Sequence, residues 1–187
     1  MAKLARRMIV WILFILFTVG AVVVGRHLTR LAGDLEPDIV AFELAGDEAE
    51  SNRILQAWQK RGQTLGEDLL GIAEKQIRWD YLFLFLYPTA IALGCLLAHR
   101  PLSEVHGTLG AAALGLAFLQ VLTAACDAGE NRALSVILAN GGAVAPLPQL
   151  AALLARLKFG LVFAGFTVVL LGVGVVVFRW ARLLTKG

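Results

Sequence analysis

Charged residues are scarce in this chain of 187 residues: 17% are Asp, Glu, Lys or Arg, and 58% are hydrophobic. Soluble domains average about 25% charged residues, so an ordinary soluble domain is excluded. The chain also has only two cysteines and five prolines. These low counts exclude a disulfide-rich secreted scaffold and a proline-rich disordered chain. The composition, with a mean hydropathy of +0.74, is typical of an integral membrane protein.

Four long runs contain no Asp, Glu, Lys or Arg, and they cover residues 8–25, 81–98, 108–126 and 159–178. A helix needs roughly 20 residues to cross about 30 Å of hydrocarbon, so each run is long enough to span a bilayer. None alternates polar with apolar residues, as a barrel strand must. The sequence therefore predicts an all-α fold: a single membrane domain over residues 1–187, with four transmembrane helices in contact with lipid.

The first run follows Lys3, Arg6 and Arg7, as the core of a signal peptide would. It is longer than the usual core of about 7–15 residues and lacks a convincing small-x-small cleavage site. We expect an uncleaved anchor. Cleavage is the alternative, and it would leave three spans.

The distribution of basic residues predicts the orientation, because cytoplasmic loops carry an excess of Lys and Arg. With four spans, one side of the membrane holds seven basic residues and one acid, and the other holds ten basic residues and thirteen acids. The basic residues on the first side are Lys3, Arg6, Arg7, Arg100, Arg179, Arg182 and Lys186. We therefore expect a bacterial inner-membrane protein with both termini in the cytoplasm. There is no basic, aromatic patch of the kind that binds nucleic acid.

Residues 26–80, between the first two runs, are too polar to cross the membrane and are expected to form a helical extracytoplasmic cap. Asp47-x-x-Glu50 has the form of a helix N-cap and predicts a helix over about residues 48–61. One face of that helix is apolar and should be covered. It carries Ile54, Leu55 and Trp58.

A second helix is predicted to begin at Thr64, where Thr64-x-x-Glu67 repeats the N-cap pattern, and to run into the second span. Gly62 is expected to break the chain between the two helices. Residues 39–45 form a short apolar patch that fits either a turn of helix or a strand.

Polar residues gather at the outer end of the third span, where the helix is expected to continue to about Ala139. Asp127, Glu130 and Asn131 share one side of that helix through their i, i+3 and i+4 spacing. Acids near hydrocarbon need partners. The candidate residues at the same level are Arg26, Arg156 and Lys158, with Asp80 opposing them.

Two interpretations of this group stay open. One is a semi-buried site for a cation, a polar head group or a proton, and the other is an interhelical salt-bridge network that stabilises the bundle. The spacing specifies no metal, and no motif identifies a cofactor. Tyr87-Pro88 in the second span predicts a kink that can open a pocket, with Tyr87 near it. Gln120 is expected to make an interhelical hydrogen bond.

The chain resembles a poorly characterised group of bacterial four-span membrane proteins. The matching pieces are Phe42-Glu43-Leu44-Ala45, a helix bearing Trp58, Asp80-Tyr81-x-Phe83, Asp127-x-x-Glu130-Asn131 and Leu157-Lys158-Phe159. The resemblance implies no activity. It implies that six polar residues belong to one pattern: Glu43, Asp80, Asp127, Glu130, Asn131 and Lys158.

The leading hypothesis is a non-enzymatic membrane protein that binds a small polar ligand, a lipid head group or a partner helix at these residues. A homo-oligomer or a partner membrane protein is compatible with it. One alternative is an enzyme acting on a lipid-like substrate, with Asp127 or Glu130 as general acid or base and Tyr87 nearby. The other is a proton or cation pathway, which needs polar residues deeper than Thr123.

Overall fold

The computed structural model describes residues 2–185, and within that range it contains helices and no strand. The all-α prediction is confirmed. The helices in chain order are α1 (Ala2–Leu31), α2 (Ile39–Leu44), α3 (Glu48–Leu65), α4 (Leu69–Ser103), α5 (Gly107–Ala139) and α6 (Leu147–Leu184). Lys186, which the charge distribution uses, lies outside the described residues, as do the side chains of Lys3 and Arg6.

Four of these helices, α1, α4, α5 and α6, are long and apolar enough to cross a membrane. Each predicted span lies inside one of them, and each helix is longer than its span. With 30 to 38 residues per helix, they are about 45–57 Å long at 1.5 Å per residue. That exceeds the hydrocarbon thickness of about 30 Å, so the helices extend beyond it.

The chain divides into two compact units. The first consists of Met1–Gly20, Leu86–Thr123 and Phe159–Gly187. In it, α4 and α6 approach closely: a Cβ added at Gly172 would lie 2.5 Å from Ala98 Cβ, and one at Gly165 would lie 2.5 Å from Ile91 Cγ2. Residue numbers rise together in the two contacts, so α4 and α6 are parallel. Only glycine permits this spacing of the backbones.

Polar side chains in the first unit donate hydrogen bonds to backbone carbonyls. Gln120 Nε2 donates to Leu161 O at 3.4 Å, which confirms the predicted interhelical hydrogen bond, here between α5 and α6. Cys95 Sγ donates to Gly165 O at 3.7 Å. Helix α4 continues through Pro88, and Tyr87 packs against an apolar cluster that contains Cys95.

The second unit consists of Ala21–Phe85 and Ala124–Lys158. Its core joins α2 and α3 to the adjoining parts of the long helices. The predicted apolar face of α3 is buried in it, and Trp58 Nε1 donates to Pro37 O at 2.6 Å. The Phe42 ring of α2 meets the Trp58 ring edge-on, with centroids 5.1 Å apart. The buried residues of α3 are Ser51, Ile54, Leu55, Trp58 and Gly62.

The predicted start of α3 is confirmed, because Asp47 is its N-cap and accepts a hydrogen bond from Glu50 N at 2.8 Å. The chain segment before it is also capped. Asp38 accepts from the Ala41 backbone at 2.9 Å and begins α2, so residues 39–44 form a turn of helix rather than a strand.

The prediction of a break at Gly62 and a helix start at Thr64 is wrong. Gly62 lies inside α3, where a Cβ would come within 2.5 Å of Glu67 O. The helix ends at Gly66, whose φ of +72° is left-handed and favours glycine. Thr64 Oγ1 donates back to the Lys60 carbonyl within α3 instead of capping a new helix. The chain then turns, and α4 begins at Leu69.

Candidate functional site

Three buried polar residues of the second unit lie on a single face of α5. Asp127, Glu130 and Asn131 are 1%, 0% and 2% exposed. Helix α5 runs without interruption to Ala139, as expected, so the i, i+3 and i+4 spacing places the three side chains together. Two carboxyl groups and an amide are thus fully removed from solvent.

Lys158 of α6 points into these carboxyl groups. Its Nζ donates to Asp127 Oδ1 at 2.8 Å and to Glu130 Oε1 at 2.8 Å. Lys158 is itself only 6% exposed. Because a lysine ammonium has three donors and no acceptor, two of its three hydrogens are used by the α5 acids.

A third carboxyl group reaches Lys158 from the short helix α2. Glu43 Oε2 lies 3.3 Å from Lys158 Nζ. The neighbouring Phe42 packs on Trp58, which fixes the face that α2 turns toward the lysine. Burial raises the pKa of the Glu43 carboxyl above its ordinary value of 4.5, and the nearby Lys158 charge only partly opposes this effect.

A fourth carboxyl group joins from α4. Asn131 Nδ2 donates to Asp80 Oδ2 at 2.6 Å. Asp80 interacts electrostatically with Asp127 and Lys158. We call these residues, which come from four helices, the acid cluster: Glu43, Asp80, Asp127, Glu130, Asn131 and Lys158.

The acid cluster is not electrically balanced. Four carboxyl groups and one ammonium give a formal charge of −3 when every group is ionised. Within residues 2–185, Glu130 Oε2 has no hydrogen-bond donor, and Glu43 Oε2 has only the Lys158 ammonium at 3.3 Å, without hydrogen-bond geometry. A buried acceptor without a donor costs about 1–3 kcal/mol, and more when it is charged. The cluster as described therefore has room for additional positive charge.

The other predicted residues lie elsewhere. Arg26 and Arg156 are exposed, and neither is within ion-pair distance of an acid in the described part of the chain. Of the three basic candidates, the structure brings Lys158 to the acids. Tyr87 belongs to the first compact unit, in the apolar cluster around Ile91, Cys95 and Ala117.

Gln76 is a polar residue that the sequence interpretation overlooked. Its side chain is 7% exposed, and its Oε1 has no donor among the described residues. It precedes Asp80 by four residues, so both occupy one face of α4. That spacing, in a helix expected to project beyond the membrane, was the available signal.

The described residues include no group of three or more His, Cys, Asp or Glu side chains arranged to hold a metal ion. In the acid cluster a lysine ammonium occupies the position between the carboxyl groups. The chain matches no protein-family model, no curated protein and no solved structure. A functional proposal must therefore begin from the chemistry of the acid cluster.

Proposed function

We propose that this chain is a non-enzymatic integral protein of a bacterial inner membrane. At the acid cluster it binds a small polar ligand or lipid head group that carries a positive charge. The observation that carries the proposal is the surplus of buried carboxyl groups over the single Lys158 ammonium. The segment between α1 and α4 then forms an extracytoplasmic cap over that site.

The orientation is supported by the distribution of basic residues and by one contact in the first unit. Arg179, near the end of α6, pairs with Glu104 in the turn between α4 and α5. The two basic segments therefore lie on the same side, which is the cytoplasmic side by the excess of Lys and Arg.

A purely structural salt bridge does not account for the composition of the acid cluster. Removing ionised groups from water is costly, and replacing a buried ion pair by apolar residues is often neutral or stabilising. A structural bridge would need one carboxylate for Lys158, whereas three lie within 3.3 Å of its Nζ. The unsatisfied oxygens of Glu43 and Glu130 are acceptors, and an ammonium group supplies the N–H donors that fit them.

A binding role is favoured over general acid or base catalysis by the state of the two candidate carboxyl groups. Asp127 and Glu130 are each held at 2.8 Å by Lys158. A general acid or base must reach the proton that it transfers. In the described arrangement one oxygen of each group already faces the lysine.

Native mass spectrometry and lipidomics of the purified protein test the proposal. We expect an amine-bearing small molecule or lipid to co-purify with the wild type, and to be lost from an Asp127→Asn, Glu130→Gln double variant. Glu74→Gln is the matched control, since Glu74 is exposed and pairs with Arg78 in its own helix.

Reconstitution in nanodiscs identifies the lipid class. We expect retention of phosphatidylethanolamine, which carries an ammonium, over phosphatidylglycerol, which does not, if a head group is the ligand. A wild type that carries no amine-bearing molecule would overturn the proposal, as would a double variant that differs from it in stability alone.

A further inference from the structure

Two carboxyl groups of the acid cluster, Glu43 and Glu130, come from different helices and contact the same lysine, Lys158. The Glu130 side chain is fully buried and that of Glu43 nearly so. Within residues 2–185, Glu130 Oε2 has no hydrogen-bond donor, and Glu43 Oε2 makes no hydrogen bond beyond its ion pair with Lys158 at 3.3 Å. The two groups are neighbours, because Glu43 Oε2 and Glu130 Oε1 lie 3.3 and 2.8 Å from the same atom, Lys158 Nζ.

An ionised carboxylate has acceptors and no donor, so two carboxylates cannot hydrogen bond to each other. A protonated carboxyl has one O–H donor. Neighbouring buried carboxyl groups can therefore share a proton, and such a pair titrates as a unit. One proton between Glu43 and Glu130 would satisfy the unpartnered acceptors and lower the repulsion between the groups.

We propose that Glu43 and Glu130 share one proton, so that the acid cluster is a proton-binding site. The surrounding charges come from each of the other helices in the cluster: Asp80 on α4, Asp127 on α5 and Lys158 on α6. Lys158 does not supply a hydrogen to Glu130 Oε2, because its Nζ donates to Asp127 Oδ1 and Glu130 Oε1 and its third hydrogen has Glu43 Oε2 as a neighbour at 3.3 Å. With the proton in place, the formal charge of the cluster changes from −3 to −2.

The shared proton and a cationic ligand would occupy the same acceptors. When an ammonium group enters, the proton leaves to solvent, and the N–H donors replace the O–H donor. No other bond forms or breaks. This exchange rests on the proposed function, whereas the shared proton itself rests only on the geometry of Glu43 and Glu130.

Infrared spectroscopy of the full chain in nanodiscs tests the proton directly, because a protonated carboxylic acid has a C=O stretching band separate from the carboxylate bands. We expect this band in the wild type at neutral pH and its loss as the pH is raised. Glu43→Gln and Glu130→Gln should both lack it, since the new amide donates to the remaining carboxylate. Glu74→Gln, which changes an exposed acid, should retain it.

The absence of the band from the wild type at neutral pH would overturn the proposal. Its survival at full intensity in both glutamine variants would do the same. Circular dichroism shows whether each variant is folded. If neither variant folds, the wild-type protein alone tests the proposal, through the loss of its band as the pH is raised. If the band is present and no amine co-purifies, the proton site is supported and the proposed cationic ligand is refuted. The two proposals can therefore fail independently.

Discussion

Lys158→Met should be among the most destabilising single substitutions in this chain. Its removal leaves Asp127, Glu130 and Glu43 without the ammonium that lies 2.8, 2.8 and 3.3 Å from them. Removing one partner of a buried ion pair costs about 3–5 kcal/mol. This cost is limited, because a buried carboxyl group that has lost its ammonium partner can take up a proton and become neutral. For an ordinary pKa of 4.5, protonation at pH 7 costs about 3.4 kcal/mol per group.

The same estimate predicts a pH dependence. At pH 5 the cost of protonating a carboxyl group falls to about 0.7 kcal/mol. The loss of unfolding free energy caused by Lys158→Met should therefore be smaller at pH 5, about 1–2 kcal/mol, than at pH 7. The sign follows from the folded variant holding more protons than its unfolded chain, so its stability falls as the pH rises.

Thermal unfolding in detergent, followed by circular dichroism, measures this effect. For a chain of this size about 1 kcal/mol corresponds to roughly 2–4 °C, so Lys158→Met should unfold about 6–20 °C below the wild type at pH 7. Lys75→Met makes the same change at an exposed position and should unfold near the wild type. Adding Glu130→Gln to Lys158→Met should recover part of the loss. Equal midpoints for the two methionine variants at pH 7 would refute the reasoning, as would a deficit that does not depend on pH.

Three further predictions concern other contacts. Gly172→Ala should lower the free energy of unfolding by about 1–3 kcal/mol, because its Cβ would lie 2.5 Å from Ala98 Cβ. Gly174→Ala is the control, because the space around Gly174 is open. Equal unfolding midpoints for the two variants would contradict the close packing. Trp58→Phe removes the 2.6 Å hydrogen bond to a backbone carbonyl and should cost about 1–3 kcal/mol, measured by the same unfolding assay. Burial raises the pKa of Glu43 above 4.5. The contribution of Glu43 to the free energy of unfolding is therefore complete below pH 4.5, and it is lost as the pH rises, by up to about 1.4 kcal/mol per pH unit. Glu43→Gln should flatten that part of the stability profile, and an unchanged slope would contradict it.

The long helices were predictable because apolar runs without charge have one structural solution in a bilayer. Their ends were less predictable. Near Thr64 two local signals compete: an N-cap pattern that starts a helix, and Gly66, which can end one in the left-handed conformation. The glycine prevailed: Gly66 adopts a left-handed φ of +72° and its N–H donates to the Gly62 carbonyl, which ends α3 at Leu65. Gly62, which looked like a break, instead permits the chain to fold back closely at Glu67.

The choice of basic partner could have been narrowed further from helix phase. Arg156 and Lys158 are two residues apart, which is about 200° around a helix, so they cannot face the same neighbour. Lys158 follows the buried Ala155 by three residues and the buried Ala151 by seven, so the three residues lie on one face of α6. Helix phase thus separates Arg156 from Lys158, but the sequence does not say which of them faces inward, because a buried alanine, Ala152, also precedes Arg156 by four residues.

Glu43 is the part of the acid cluster that local sequence could not place. It lies on a helix of six residues, and a helix that short is not stable by itself in water. Its position depends on Phe42 packing against Trp58, a contact between α2 and α3. The formal charge of the acid cluster is therefore −2 without Glu43 and −3 when α2 is docked. Docking brings a carboxyl group against another acid and so favours proton uptake, and any cation that replaces this proton will in turn stabilise the docked α2.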